Sequence, residues 1–427
     1  MYLYLCGSED DSGVTWLPED LIEGWTSLIW TERYTEAGEF QLKTPVVEDT
    51  LTMLPDGSLI GINDSKELMR VENHSIAVND AGVAELTVTG RSFETYLENR
   101  MFRGDYKVPY EMLQSYTVQD AIAVCIFEKL VNTDSLNDVT GGNSGAAFSG
   151  LEYILAAVTT ANIVPSKPAS TDAPNDLSDL QSTTLWYLQD GEVYPTVLDW
   201  LKLGDLGIRC SRPMNSYSTV VSVNSAGVIS HPAITGHEHK LMFEIYNGRN
   251  RSMTPSSVDP HTPVIFRYDA GHLLSPSYLI SRKNYRNFCR VLSSDGEENV
   301  WDNDDKYGWT SPSGVPTVPI PAPIGILRHG MTLDAGDVDP AAVDSTKWMR
   351  QKGKTALKNA NRQLLLDSAI SANAPYSYGS DYNLGDLVTV MGEYDVMDTM
   401  RVNEYVRTQD KDGERAFPTL IRPDPEF

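Results

Sequence analysis

From residue 21 to residue 104 short apolar runs are separated by Gly-, Asn- and Asp-bearing stretches, and in Glu39 to Thr44 the apolar Phe40 and Leu42 alternate with polar residues at a period of two. That period places alternate side chains on opposite faces of a strand, so this part of the chain must pair strands rather than bundle helices. The pattern predicts strands over Trp25 to Trp30, Glu39 to Thr44, Gly57 to Ile62, Leu68 to Val78 and Val83 to Thr89. Glu36-Ala-Gly38, Asp56-Gly57, Asn63-Asp64 and Asn79-Asp-Ala-Gly82 read as the turns between them. Phe40 and Leu42 share one face of their strand and belong to a core, whereas the alternation leaves the Trp25 and Trp30 pair open between core and rim. Gly38, Gly90 and Gly385 each stand at an expected strand turn, where positive φ or close backbone approach accounts for a glycine without a ligand. The expected product is a small antiparallel barrel, a form that strand patterning by itself shares with many sandwiches and barrels.

Beyond this region the period changes. Thr117-Val-Gln-Asp120 caps a predicted helix in which Ala121, Ile122, Cys125, Ile126 and Leu130 recur at helical spacing. Residues 132–150 are polar and Gly-rich, and Val164 to Pro174 is a Pro/Ser loop, which leaves a short element over Leu151 to Ile163. A second helix is expected over Tyr194 to Gly204, with Thr196 and Asp199 at its start and Gly204 at its stop. Strands follow at Gly207 to Cys210, Thr219 to Val223 and Lys240 to Tyr246, so the middle of the chain reads as α+β. After the Pro-rich loop Ser311 to Pro323, the Ala, Leu, Lys, Asn and Gln content of Pro340 to Ser371 predicts a further helical stretch.

Composition narrows the function classes. A chain of 427 residues, 41% hydrophobic and 9% aromatic, has material for several cores and is not a disordered segment. Its 34 basic residues against 59 acidic give a net charge of −25, spread along the chain, and such a surface repels phosphate and disfavours nucleic-acid binding. Met1-Tyr-Leu-Tyr-Leu-Cys6 is apolar but has no basic start and runs into Gly7-Ser-Glu-Asp-Asp11, so no secretory leader is expected, and no run approaches the roughly 18 apolar residues of a membrane span. Cys6, Cys125, Cys210 and Cys289 are scattered without metal-ligand or framework spacing and are expected as buried free thiols.

Catalytic and metal signals give way to plainer explanations. His231, His237 and His239 cluster in a polar loop, but zinc needs three or four ligands with supporting partners, and solvated histidines are the simpler expectation. Asp302-Asn-Asp-Asp-Lys-Tyr-Gly308 has the look of a calcium loop, yet Lys306 stands at a ligand place and Ser313 where the bidentate Glu belongs, so a solvated turn is expected. No nucleophile elbow, phosphate-cradling loop or His-Glu-x-x-His helix is present, and a carboxylate pair among 59 acidic residues is expected by chance. The expectation is a non-enzymatic protein with no catalytic, cofactor-binding or metal residues.

Trp25 to Trp30, Glu32-Arg-Tyr34, Ala37-Gly-Glu-Phe40 and Thr89-Gly-Arg-Ser92 with a short helix after it, taken together, resemble the first domain of the hub, or minor tail, proteins at the tail tip of long-tailed, siphovirus-type phages. Three later stretches are similar to that family in the same order. Leu241 to Arg251 looks like its strand and Gly-Arg-Asp-Arg-Thr turn, with Asn250 for the Asp and Ser252 for the Thr. Asn284 to Gly296 looks like its Asn-Tyr strand and turn. Tyr382 to Val390, Met400 to Arg407 and the Asp410-Lys-Asp-Gly413 turn look like its closing barrel, with Leu384, Leu387 and Val390 expected in the core. Residues 106–240 match mainly in layout.

The resemblance implies a mainly β fold with α+β insertions: two small antiparallel β-barrel domains of a baseplate-hub-like protein and a helix-containing middle region. The expected division is 1–108 for the first barrel, 109–245 for the α+β middle, 246–300 for strands of the second barrel, 301–375 for the Pro-rich loop and helical segment, and 376–427 for the closing strands. It further implies a homotrimer of pseudo-six-fold symmetry that joins a distal tail protein ring and tail tube to a three-fold tip. Tape-measure protein and receptor-binding proteins would be its other partners, and DNA would pass through without being bound. Assembly in the host cytoplasm, residence in the virion and no membrane insertion follow from the same likeness. Some tail-tip hubs carry a wall-cleaving extension after the last barrel, and the end at Glu426-Phe427 leads us to expect none here. A carbohydrate-binding protein or a cell-wall glycoside hydrolase stands as the alternative.

Overall fold

The computed structural model describes residues 1–8, 20–46, 54–78, 82–102, 106–107, 122, 125–126, 153–156, 187–188, 191–204, 206–211, 222–223, 229–230, 242–253, 261–294, 296–301, 322–335, 349–350, 352–353, 356–357, 360, 363–371, 374–392, 397–421 and 423. The N-terminal strands are β1 (Leu3–Ser8), β2 (Asp20–Ile22), β3 (Ser27–Arg33), β4 (Glu39–Pro45), β5 (Ser58–Ile62), β6 (Leu68–Val78) and β7 (Ala84–Ser92). All pair antiparallel, in the order β3-β4-β7-β6-β5-β1-β2. Alternation does what it promised: Leu28 and Trp30 of β3 face Leu42 and Phe40 of β4, and Leu42 in turn faces Val88 of β7. With Leu3, Ile60, Ile62, Met69, Val71 and Leu86 they form the first core. Trp30 is fully buried and Trp25 half-buried against the same core, which settles the pair left open by the sequence.

Gly90 lies within β7, not at a turn, opposite Phe40 and beside the bulge of β6 at Val71/Asn73. A Cβ there would stand 1.8 Å from the Arg70 carbonyl oxygen and 2.6 Å from the Phe40 ring, so close approach requires the glycine. Gly38 is also set by close approach, to the Thr31 carbonyl, whereas Gly385 takes φ +84° at its turn.

In the middle of the chain, β8 (Tyr153–Ala156), β9 (Gly207–Ser211) and β10 (Met242–Tyr246) make a small mixed sheet in the order β8-β10-β9. Helix α1 (Val193–Gly204) packs against the 3-10 helix Phe93–Asn99, and its Val193, Val197, Trp200 and Leu201 are buried. It starts a turn earlier than the expected Thr196 cap: Pro195 needs no N–H donor in a first turn, and the Thr196 hydroxyl donates to the Glu192 carbonyl at 3.1 Å. Ile122, Cys125 and Ile126 are helical and buried, as their spacing predicted. All four cysteines are buried free thiols.

The C-terminal strands are β11 (Asn250–Arg251), β12 (Ile265–Arg267), β13 (Leu273–Ser281), β14 (Phe288–Ser293), β15 (Gly296–Trp301), β16 (Gly330–Asp334), β17 (Gln363–Ile370), β18 (Leu387–Met391), β19 (Met397–Asp410) and β20 (Gly413–Ile421). Strands β14, β15 and β16 form a satellite sheet over Cys289, Val291, Val300, Met349 and Leu357. The helical stretch expected over 340–371 is only partly so. Residues 349–350, 352–353 and 356–357 are helical, but 363–370 pair antiparallel with β13 as β17, and this long-range pairing overrides a weak helical propensity.

The expected two barrels share one fourteen-stranded sheet, traced β13-β17-β20-β19-β3-β4-β7-β6-β5-β1-β2, with β18 on β19 and β11 and β12 parallel to β18. Among the described residues it is open at β13 and β2 rather than closed into rings. The two lobes join where β19 pairs with β3, from Glu404 opposite Arg33 to Gln409 opposite Leu28. The second core gathers Tyr34, Val264, Phe266, Leu273, Tyr382, Leu384, Val388, Val390, Met400, Val402 and Leu420.

Leu384 and Val390 lie in that core as expected, but Leu387 is half-buried and Val388 takes the inner place. Residues 387 and 390 cannot share a face of one strand, because the side-chain period is two. Val388→Asp is therefore expected to cost several kcal/mol by burying an unpaired charge, and Leu387→Asp much less. Urea unfolding of the two variants measures the difference.

Candidate functional site

The two lobes and the middle sheet converge on Tyr34, the residue that follows β3. Its backbone N–H donates to the Asn403 carbonyl at 2.8 Å, and its carbonyl accepts from Ile208 N–H at 2.9 Å. The phenol donates to the Tyr246 carbonyl and accepts from Gly248 N–H, both at 3.3 Å. The ring is flanked by two glycines: a Cβ on Gly207 or on Gly385 would each come within 2.3 Å of it. The Arg401 guanidinium lies 5.1 Å from the ring centroid and donates to the Gly385 carbonyl at 3.0 Å.

Around this pin sit buried charges. Parity on β3 and β19 puts Glu32, Tyr405 and Arg407 on one face. Arg407 donates to Glu32 at 2.5 Å and to the Asp64 carbonyl at 3.0 Å. Its guanidinium lies 4.7 Å from the Tyr405 ring centroid, and that ring stacks on Tyr378 at 3.8 Å. The Tyr378 phenol donates to the other Glu32 oxygen at 3.2 Å, and burial, then the Glu32 charge, push it well above its ordinary value. On the opposite face Arg33 bridges Glu404 at 2.8 Å, Glu39 at 2.6 Å and the Ala37 carbonyl at 2.9 Å.

The middle sheet adds its own pair. Arg209 donates to Glu244 and lies over the Tyr246 ring. Glu94, in the 3-10 helix, accepts the Cys210 backbone N–H; burial pushes its carboxyl up to about 7, against hydrogen bonds from Ser92, its own N–H and Cys210. Glu67, just before β6, is bridged to Ser211. Burial, then the Glu32 and Glu94 charges, hold Glu67 well above the carboxylate range despite Arg209 and Arg407.

A second buried acid locks the C-terminal lobe. Asp386 accepts from Arg249 N–H at 2.7 Å, Arg251 Nε at 2.7 Å and Asn383 N–H at 2.9 Å. Burial outweighs these donors and raises its carboxyl. A Cβ on Gly248 would stand 1.8 Å from the Gly385 carbonyl, so only glycine lets the two turns touch. The Asn250 amide oxygen accepts from Ser252 N–H at 3.0 Å and Ser252 Oγ at 2.7 Å.

The sequence singled out Glu32-Arg-Tyr34, Leu241 to Arg251 and Tyr382 to Val390 as separate motifs, and the structure brings them together. Arg407 and Met400 to Arg407 as a strand were also in view, but Glu67, Glu94, Arg209 and Glu244 were missed, and no local pattern marks them. His231, His237, His239 and Asp302 to Gly308 lie outside the described residues. Among the described residues no three His, Cys, Asp or Glu side chains meet as a metal site, and no helix is long and apolar enough to cross a membrane. Trp30, Tyr34 and Phe40 are buried, while Trp25 lines an open cleft with Tyr2, Leu21 and Gln409.

The family model described as Siphovirus ReqiPepy6 Gp37-like protein matches residues 15–420. No curated protein sequence matches the chain. Among solved structures, a tail protein from Neisseria meningitidis MC58 is similar in fold at 11% identity, with a TM-score of 0.50 over 99% of this chain and 96% of that one. A prophage MuSo2 43 kDa tail protein from Shewanella oneidensis aligns at 12% identity, TM-score 0.48, over 99% and 98%.

Arg407→Met leaves Glu32 buried without its cation and is expected to cost about 3–5 kcal/mol. Adding Glu32→Gln should recover part of that loss, and a double-mutant cycle by denaturant unfolding measures the coupling.

Proposed function

The chain belongs to the Siphovirus ReqiPepy6 Gp37-like protein family, and from that premise we propose that it is the hub of a phage tail tip, a structural adaptor and not an enzyme. Three copies would each contribute two strand-built lobes, so that six lobes of similar make face a six-fold tail tube or distal tail ring and three chains face the tip. The division into 1–108, 109–245, 246–300, 301–375 and 376–427 belongs to the same proposal, with the lobes as paired barrels in the assembled ring.

The observation that carries this proposal is the β3–β19 pairing. Two lobes that share a backbone ladder and a common pin at Tyr34 hold a fixed relative orientation. A ring with alternating lobes needs that constraint, because its closure angle is set by the angle between them. Tape-measure and receptor-binding proteins would dock above and below. The net charge of −25 suits a channel wall along which DNA slides without adhering.

The purified protein should scatter light as a trimer, either alone or on addition of its distal tail protein. A monomer under both conditions overturns the hub. Incubation with host cell wall should release no soluble fragments; turnover abolished by one carboxylate substitution would instead establish the hydrolase.

A further inference from the structure

Four carboxylates are buried where the lobes meet the middle sheet: Glu32, Glu67, Glu94 and Glu244, none more than 5% exposed. Two arginines face them. Arg407 is committed to Glu32 and Arg209 to Glu244, and among the described residues Glu67 and Glu94 have no ion pair of their own. A buried carboxyl without a cation is far less costly neutral than charged. The surroundings fit the neutral form. Among the described residues Glu94 Oε2 has no hydrogen-bond donor, so an ionised Glu94 would hold a buried charged oxygen that nothing solvates.

We propose that this junction is a proton-loaded latch: with Glu67 and Glu94 protonated the middle sheet docks on the two lobes, and their ionisation loosens that docking while the large sheet stays folded. The large sheet is spared because its seam is a backbone ladder and its buried charge pairs, Glu32 with Arg407 and Asp386 with Arg251, are already balanced. The groups that face the two acids are Glu32 from β3, Tyr194 from α1, Arg209 from β9, Glu244 and Tyr246 from β10, Tyr378 from the segment before β18, and Arg407 from β19.

The sign follows from proton linkage. Undocked, both acids ionise near the ordinary 4.5; docked, Glu94 keeps its proton to about 7 and Glu67 holds its own well above the ordinary value. Docking is therefore at full strength below about 4.5 and weakens as pH rises to about 7. Above 7 the Glu94 contribution is spent, and any further weakening comes from Glu67. Each linked proton changes the opening equilibrium about tenfold per pH unit.

Amide hydrogen exchange from pH 5.5 to 9 tests this. After correction for intrinsic rates, protection of the Cys210 amide, which donates to Glu94, should fall about tenfold per pH unit for each linked proton, while the Thr31 amide in mid-sheet keeps its protection. Glu94→Gln should remove one proton's share of the slope below pH 7, and Glu67→Gln the share that continues upward. Glu98→Gln, at the exposed end of the same 3-10 helix, should leave the profile unchanged. A flat Cys210 profile in the wild-type chain overturns the latch. So do slopes unchanged in both glutamine variants, or Cys210 and Thr31 losing protection together. If one glutamine variant fails to fold, the wild-type profile and the other variant still decide the matter. The oligomeric state plays no part in this readout, so its outcome is separate from that of the hub.

Discussion

Everything in this molecule depends on how Tyr34 is held. Its backbone completes the approach of β3 to β19 and of β3 to β9, its phenol ties the turn after β10, and its ring fills the space between Gly207 and Gly385. One side chain thus touches all three parts of the chain. The cost of such a pin is local crowding, and the chain meets it with glycine at each place where backbone must come close: Gly207, Gly248 and Gly385. Around the pin, two buried acids and their arginines, Glu32 with Arg407 and Asp386 with Arg251, face inward from the two lobes.

Buried ion pairs contribute little net stability, because desolvation offsets most of the attraction. Their value here is in specifying arrangement. Glu32 is satisfied only if Arg407 and Tyr378 arrive from the far end of the chain, and Asp386 only if the 249–251 turn lies beside it. Any alternative pairing of the lobes would leave a buried charge alone, a far larger loss than any gain from shifted packing. The junction between lobes and middle sheet differs in that its acids outnumber its cations, so its arrangement is tied to proton occupancy as well as to geometry.

A tail component with a rigid inter-lobe seam and a softer attachment for its middle region divides mechanical tasks between them. The continuous sheet can carry load through backbone hydrogen bonds, which are strong collectively and independent of pH. The middle sheet is held by two short backbone links, Ile208 N–H to the Tyr34 carbonyl and the Glu67–Ser211 bridge, by side chains and by α1 against the 3-10 helix, and it is the part whose position can respond to conditions.

Sequence periodicity placed β4, β5 and β6 to within a residue and β3 and β7 to within three, because alternation and turn chemistry are local, but it did not mark β1 or β2; Phe40, Leu42 and the Gly57, Gly82 and Gly413 turns stand where the pattern put them. The family resemblance also came from short local motifs, Glu32-Arg-Tyr34 above all. What those motifs do was decided by tertiary structure. Nothing near Glu32 announces Arg407, and nothing near Gly385 announces Tyr34, since the partners are separated by hundreds of residues and meet only through the β3–β19 ladder. The same long-range pairing turned 363–370 from an expected helix into a strand and joined the two lobes through one sheet. Local preference is worth tenths of a kcal/mol per residue. A buried ladder with its side chains packed outweighs it, and that sum is fixed only when distant strands find each other.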